Sequence, residues 1–109
     1  MIVFKTWDDV PDNFAGHCYI QEEETQFYLI ENRIWHNENG PAVISDNGDK
    51  EWWFKDQRHR IDGPAMVWFD DEENKLMEKY LIHGRLFSPE DYYKHPLVAK
   101  HVLENILEL

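Results

Sequence analysis

Carboxylates and imidazoles are the groups in this chain with the most chemical potential. Acids cluster three times: Glu22, Glu23 and Glu24; Asp46 and Asp49; Asp70, Asp71, Glu72 and Glu73. Six histidines stand at 17, 36, 59, 83, 95 and 101, and Cys18 is the single cysteine. A structural zinc site calls for closely spaced histidines or paired thiolates, and neither an H-x3-H spacing nor a second thiol is present. A calcium loop alternates its oxygen ligands around a central glycine; the run Asp70 to Asn74 has neither feature. Nucleophile signatures are missing too: there is no G-x-S-x-G, no glycine-rich phosphate loop, and Cys18 has only His17 as a sequence neighbour. The expectation is a chain with no catalytic residues, no metal and no cofactor, and an enzyme of unknown class is the remotest reading.

Acidic clusters also define surfaces. In 109 residues, 11 Lys and Arg stand against 22 Asp and Glu, for a net charge of -11. A non-specific grip on DNA, RNA or an anionic bilayer is repelled at long range by that charge. A basic protein partner is favoured instead, with no direct nucleic acid and no membrane. A lone cysteine fits a reducing compartment, and the amino terminus reaches Asp8 and Asp9 before any long apolar stretch. A cytoplasmic protein is expected, in the host cytoplasm if the chain is phage-encoded.

Positioning these groups requires a scaffold, and the glycines reveal one. Gly16, Gly40 and Gly63 stand 24 and 23 residues apart, each followed by a short apolar run. The acidic clusters come next, with Asn47-Gly48 inside the second, a dipeptide suited to the positive φ angles of a type I′ turn. A second, more aromatic strand candidate then returns in each unit: Gln26 to Ile30, Glu51 to Lys55 and Leu76 to Ile82. Each closes on a tight turn ending in arginine, at Glu31-Asn32-Arg33, Asp56-Gln57-Arg58 and His83-Gly84-Arg85. The fold class expected is mainly β (α+β), an antiparallel meander of consecutive β-hairpin repeats capped by one or two C-terminal helices. Within a single domain over 1–109, residues 1–13 form an N-terminal strand or cap, 14–87 three hairpin repeats and 88–109 a helical cap.

The phrase WWFKDQRHRIDGPAMVW resembles the MORN-like hairpin repeats of phage and bacterial proteins, of the type W-x-N-G-x-x-H-R-x-D-G-P-A. Trp52, Trp53, Arg58, His59, Arg60, Asp62, Gly63, Pro64 and Ala65 carry the resemblance, and Trp35, His36, Asn39, Gly40, Pro41 and Ala42 carry it in the preceding copy. The first unit departs, with Ala15-Gly16-His17 where the pattern has Asp-Gly-Pro. The resemblance implies a sheet of hairpins used as a contact surface, with no shared catalytic residues. Within the chain's own repeat His36 and His59 occupy equivalent positions, so the same packing or turn hydrogen bond is expected twice.

At the carboxy end, Ser88-Pro89-Glu90-Asp91 reads as an N-cap, a first-turn proline and two acids on the positive end of a helix dipole. A short helix through Lys94 follows, and after Pro96 the residues Val98, Val102, Leu103, Ile106 and Leu107 fall on one helical stripe. Packing of that stripe across the sheet is the favoured expectation; the other is a homodimer through this helix. Among the aromatics, Trp35, Trp52, Trp53 and Trp68 are expected to leave an exposed stripe, the residue type that dominates protein contacts. Successive hairpin tips lie about 10 Å apart in such a sheet, so the acidic turns form one edge. The function expected is a non-catalytic protein-binding module, an accessory or inhibitor of a host protein acting through the aromatic face and acidic edge. The alternative is an acidic DNA mimic that inhibits a nucleic-acid-binding protein.

Overall fold

The computed structural model describes residues 1–107. Eleven strands run in chain order: β1 (Ile2–Phe4), β2 (Gly16–Ile20), β3 (Thr25–Ile30), β4 (Ile34–Trp35), β5 (Val43–Ser45), β6 (Lys50–Glu51), β7 (Trp53–Phe54), β8 (Gln57–Arg58), β9 (Met66–Phe69), β10 (Lys75–Ile82) and β11 (Arg85–Phe87). Helices α1 (Pro89–Lys94) and α2 (Pro96–Leu107) close the chain. A nine-stranded sheet has the order β1-β2-β3-β5-β6-β9-β10-β11, with β4 also on β3, while β7 and β8 form a separate ribbon. The mainly β architecture of consecutive hairpins with two C-terminal helices is therefore present. One edge departs from the antiparallel meander: β1 runs parallel to β2, with Ile2 opposite Cys18. Glu108 and Leu109 of the expected cap lie outside the described residues.

The three acidic turns share one backbone solution. In each, one loop residue donates its N–H to the carbonyl three residues back, Glu24 to Gln21 at 3.2 Å, Gly48 to Ser45 at 2.9 Å and Glu73 to Asp70 at 3.1 Å. That donor residue takes positive φ each time, at 50°, 96° and 65°. The first turn holds four residues, Gln21 to Glu24, between the paired Ile20 and Thr25; in the second and third, where Ser45 N bonds Asp49 O and Asp70 N bonds Asn74 O, this is the three-residue hairpin loop, a tight turn followed by a left-handed residue. It corrects the type I′ expectation at Asn47-Gly48, because only Gly48 of that pair has positive φ.

Paired positive φ occurs instead at the far ends of the hairpins. Asn32 and Arg33 (65° and 58°), Lys55 and Asp56 (45° and 68°), and His83 and Gly84 (47° and 80°) make two-residue turns with the type I′ pattern. The middle turn was expected at Asp56-Gln57-Arg58, yet Gln57 and Arg58 form β8. The ladder breaks at Trp52, between β6 and β7, and the turn falls at Lys55-Asp56. Lysine has no special tolerance for that backbone region, whereas aspartate does, so composition marks only the second of the two turn positions.

Neighbouring units are joined by a repeated set of hydrogen bonds. Nδ1 of His36 accepts the N–H of Lys55 at 2.9 Å, and Nδ1 of His59 accepts that of His83 at 2.9 Å. On one side Asp56 donates to Trp35 O at 3.0 Å and Gly84 to Arg58 O at 2.8 Å; on the other Asn37 donates to Trp53 O at 3.0 Å and Arg60 to Leu81 O at 3.1 Å. In the first unit a carbonyl replaces the imidazole, as Asn32 donates to Asp12 O at 2.7 Å. The two Gly-Pro-Ala segments have the same setting. Ala42 and Ala65 are fully buried, donate onward to Glu51 and Lys79, and accept from Tyr28 and Trp52 behind them.

Apolar side chains gather in three clusters along the sheet. Val10, Cys18, Ile20, Phe27, Leu29 and Val43 form the largest, and Ala65, Met66 and Leu81 a smaller one near Trp52. The third joins the helices: Ile82, Tyr92 and Val98, with Ile61, Tyr80 and Phe87 against them. Ser88 caps α1, its Oγ accepting from Asp91 N at 3.2 Å, and Tyr92 is completely buried. The α2 stripe behaves differently from the expectation of packing across the sheet. Only Val98 is buried, whereas Val102, Leu103 and Ile106 are 43%, 58% and 58% exposed. The side chain of Leu107 lies outside the described residues. After its first turn α2 runs beside the Ile61-Asp62 loop rather than over the sheet, leaving a groove of about 510 Å³ between them.

Candidate partner-binding surfaces

Three tryptophans from distant parts of the chain converge. Trp7 sits in a short 3-10 turn, Trp35 in β4 and Trp53 in β7. The ring centroids of Trp7 and Trp35 are 6.4 Å apart and stacked; those of Trp35 and Trp53 are 4.9 Å apart and edge-on. All three lean on the core cluster that contains Phe27 and Val43. Their outer edges, with Arg33 and Asp56, bound an open groove of about 500 Å³.

Polar contacts hold this groove in shape. Asp56 grips Trp35 twice, its Oδ1 accepting Trp35 N at 3.1 Å and its N–H donating to Trp35 O. Glu51 Oε1 accepts both the Trp53 indole N–H and Arg58 Nε at 3.1 Å. The Arg58 guanidinium lies 4.7 Å from the Trp53 ring centre, a cation-π contact. Arg33 donates to Val10 O at 2.7 Å and lies 3.6 Å from the Asp12 carboxylate. Rigid indoles flanked by an acid and a base suit recognition of an apolar or aromatic side chain with charged neighbours.

Trp52 and Trp68 do not join this groove. Trp52 packs against the Ala65, Met66 and Leu81 cluster, with the Arg60 guanidinium 3.9 Å from its ring centre. Trp68, on β9, is 36% exposed. Adjacent residues of an extended chain point to opposite faces, so Trp52 and Trp53 serve different clusters and the four expected tryptophans form no single stripe. Trp7, Arg33 and Asp56 were not expected at the site. The segment Thr6 to Asp9 does carry a local turn signal, Thr6 N bonding to Asp9 Oδ2 at 3.2 Å, but nothing local says which indole that turn meets.

The acidic turns lie at the other end of the strands. β3 starts at Thr25 beside the first acidic turn and ends at Ile30 beside the Asn32-Arg33 turn, so the carboxylates and the aromatic groove are separate surfaces. The turns are physically linked: Asp46 N donates to Glu24 O at 2.9 Å, and Phe69 N to Asp49 Oδ1 at 2.8 Å. Three of the acids build the turns. Asp46 accepts the Tyr19 hydroxyl at 2.7 Å and by this contact holds that phenol above its ordinary range. Asp49 takes Phe69 N and the Asn47 amide, and Asp70 accepts the N–H groups of Glu72 and Asn74. Glu22, Glu23, Glu24, Asp71, Glu72 and Glu73 are exposed and form no salt bridge among the described residues.

Cys18 is fully buried, and burial pushes its thiol up and away from the reactive thiolate. Among the described residues no three of His, Cys, Asp or Glu converge to hold a metal ion, and no helix is long and apolar enough to cross a membrane. No protein-family model matches the chain, and comparison with curated proteins and with solved structures finds no match.

Proposed function

We propose that the protein is a non-catalytic binding module, an accessory or inhibitory protein that occupies a second protein through the Trp7, Trp35 and Trp53 groove. The observation that carries this reading is the groove itself: three half-buried indoles held in place, with Arg33 and Asp56 at its rim. Tryptophan is enriched among the residues that dominate binding energy, because a rigid ring buries much area for little lost freedom. The phage or bacterial setting, with a host protein as target, is what the resemblance to MORN-like repeats adds. The test is capture from a bacterial lysate with the immobilised wild-type chain and with Trp7→Ala, at graded salt. A partner retained by the wild type and lost by the variant is expected; equal capture by both, or none at any salt, overturns the reading.

A second reading draws on the acidic edge. The hydrogen-bonded succession of acidic turns, with six exposed carboxylates, is the observation that favours mimicry of a nucleic-acid backbone. Its target would be a DNA-binding protein. Reversing Glu22 to Glu24 and Asp71 to Glu73 to lysine, while leaving the turn-building Asp46, Asp49 and Asp70 intact, is expected to abolish that binding. Retained binding rejects mimicry.

A further inference from the structure

Tyr92 shows what the loop between His59 and Ala65 can hold. Its hydroxyl accepts the Gly63 N–H at 3.2 Å and lies 2.7 Å from Arg60 O and 2.9 Å from Gly63 O. It is clustered with Ile82 and Val98, with Ile61, Tyr80 and Phe87 packed against that cluster and the Tyr80 ring centre 4.7 Å from its own. The loop is braced from within, Arg60 donating to Asp62 Oδ1 at 2.8 Å and to Pro64 O at 3.0 Å.

The loop between His36 and Ala42 is built in the same way. Asn37 Nδ2 donates to Pro41 O at 3.0 Å, where Arg60 donates to Pro64 O, and Asn37 Oδ1 accepts Asn39 N at 3.1 Å, where Arg60 pairs with Asp62. The shared inter-unit bonds set the correspondence. Asn37, Glu38, Asn39 and Gly40 stand where Arg60, Ile61, Asp62 and Gly63 stand. Trp52, Phe54 and His59 stand where Tyr80, Ile82 and Phe87 stand. All seven of these second-unit residues line one open cavity of about 440 Å³, whose far wall comes from the next loop and His101. Tyr92 fills the third-unit position. In the second unit no described residue hydrogen-bonds to Asn37 O, Gly40 N–H or Gly40 O.

We propose that this cavity receives a tyrosine side chain from a partner polypeptide, its hydroxyl bonding to the Asn37 and Gly40 backbone as Tyr92 bonds to Arg60 and Gly63. One substitution refines the partner. Glu38 replaces Ile61 at the rim, exposed and 3.4 Å from His36 Nε2, so a cation next to the tyrosine is favoured, in keeping with the net charge of -11. The site is separate from the tryptophan groove and does not depend on it.

The full-length protein, labelled with nitrogen-15, is titrated with a synthetic peptide carrying residues 86–98 of this chain and Tyr93→Ala. That peptide presents one phenol close to a lysine. The Asn39 and Gly40 amides are expected to shift, and the same peptide with Tyr92→Phe to bind about tenfold more weakly, as expected for loss of a buried hydroxyl's hydrogen bonds. Shifts confined to Gly63, which mean exchange with the chain's own cap, no shift at all, or equal binding by both peptides each overturn the proposal. Indole shifts at Trp35 and Trp53 without a Gly40 response also overturn it while leaving the tryptophan groove standing. In the full chain, Phe54→Ala is expected to remove the Gly40 response with the Gly63 amide unmoved. Should that variant not fold, the peptide pair on the wild-type protein still decides.

Discussion

The imidazole of His59 accepts the backbone N–H of His83 through Nδ1 at 2.9 Å, and the two rings stack with centroids 4.1 Å apart. His36 makes the same bond to Lys55 N one unit earlier. An accepting Nδ1 carries no proton, so His59 belongs to the fold in its neutral form. Burial first, then the neighbouring His83 and His95, lowers its pKa below the ordinary 6.5. These repeated histidines therefore fasten one hairpin unit to the next.

Acid should loosen that fastening. The unfolded chain takes up the His59 proton near the ordinary value while the folded chain resists it, so the unfolded state binds more protons and stability falls as pH falls below 6.5. Above that value this contribution is fully present. Urea midpoints at pH 7.5 and 5.0 check it: the wild type is expected to lose stability on acidification, and His59→Asn, which keeps an acceptor without a titrating proton, to lose less. An identical pH response in both proteins would refute the assignment.

Removing the Tyr92 hydroxyl should unpin the helical cap. Tyr92→Phe leaves the buried Gly63 backbone groups and the part-buried Arg60 carbonyl without their partner, a cost of about 1–3 kcal/mol. Chemical denaturation measures the loss, and hydrogen exchange at the Gly63 amide should accelerate with it.

The two repeat glycines should differ in their tolerance of alanine. A Cβ on Gly63 would lie 2.8 Å from Arg60 Cζ, and that guanidinium is already tied to Asp62 and Pro64. A Cβ on Gly40 meets only Asn37 Nδ2, at 3.8 Å. Gly63→Ala is expected to cost about 1–3 kcal/mol and Gly40→Ala less than about 0.5 kcal/mol. Equal midpoint shifts in urea would contradict the difference.

Glu73 occupies left-handed backbone at φ 65°, in the position that Gly48 takes in the equivalent turn. A residue with a Cβ is strained there by about 1–2 kcal/mol, part of which is offset by the greater unfolded-state freedom of glycine. Glu73→Gly is expected to raise stability by about 0.5–1 kcal/mol. A lower melting temperature for the variant would count against this.

Much of the scaffold is legible along the chain because its signals are local. Glycine spacing and the recurring acidic turns mark the hairpins, and Ser88-Pro89-Glu90-Asp91 marks α1, whose cap forms as read. The candidate sites are legible only in part. Trp35 and Trp53 stand out by type, but Trp7 reaches them through a parallel edge strand and a short turn that no pattern links to β4. The acidic turns are visible as a class, whereas their division into turn-building and free carboxylates depends on hydrogen bonds to Tyr19 and Phe69 across neighbouring strands. Helix α2 shows an apolar stripe, but periodicity does not say whether the path beyond Pro96 brings it onto a surface.

By itself the sequence determined the hairpin periodicity, the strongly acidic surface and the capped helix, because each follows from residues a few positions apart. Only the tertiary structure decided that His36 and His59 fasten the units, that three indoles line one groove, and that Tyr92 plugs one repeat loop while its counterpart stays open. The fastening histidines reach backbone groups 19 and 24 residues away, and Tyr92 reaches groups 29 and 32 away. Over such separations the outcome is set by how whole units pack, a cooperative balance that no local pattern of residue types contains.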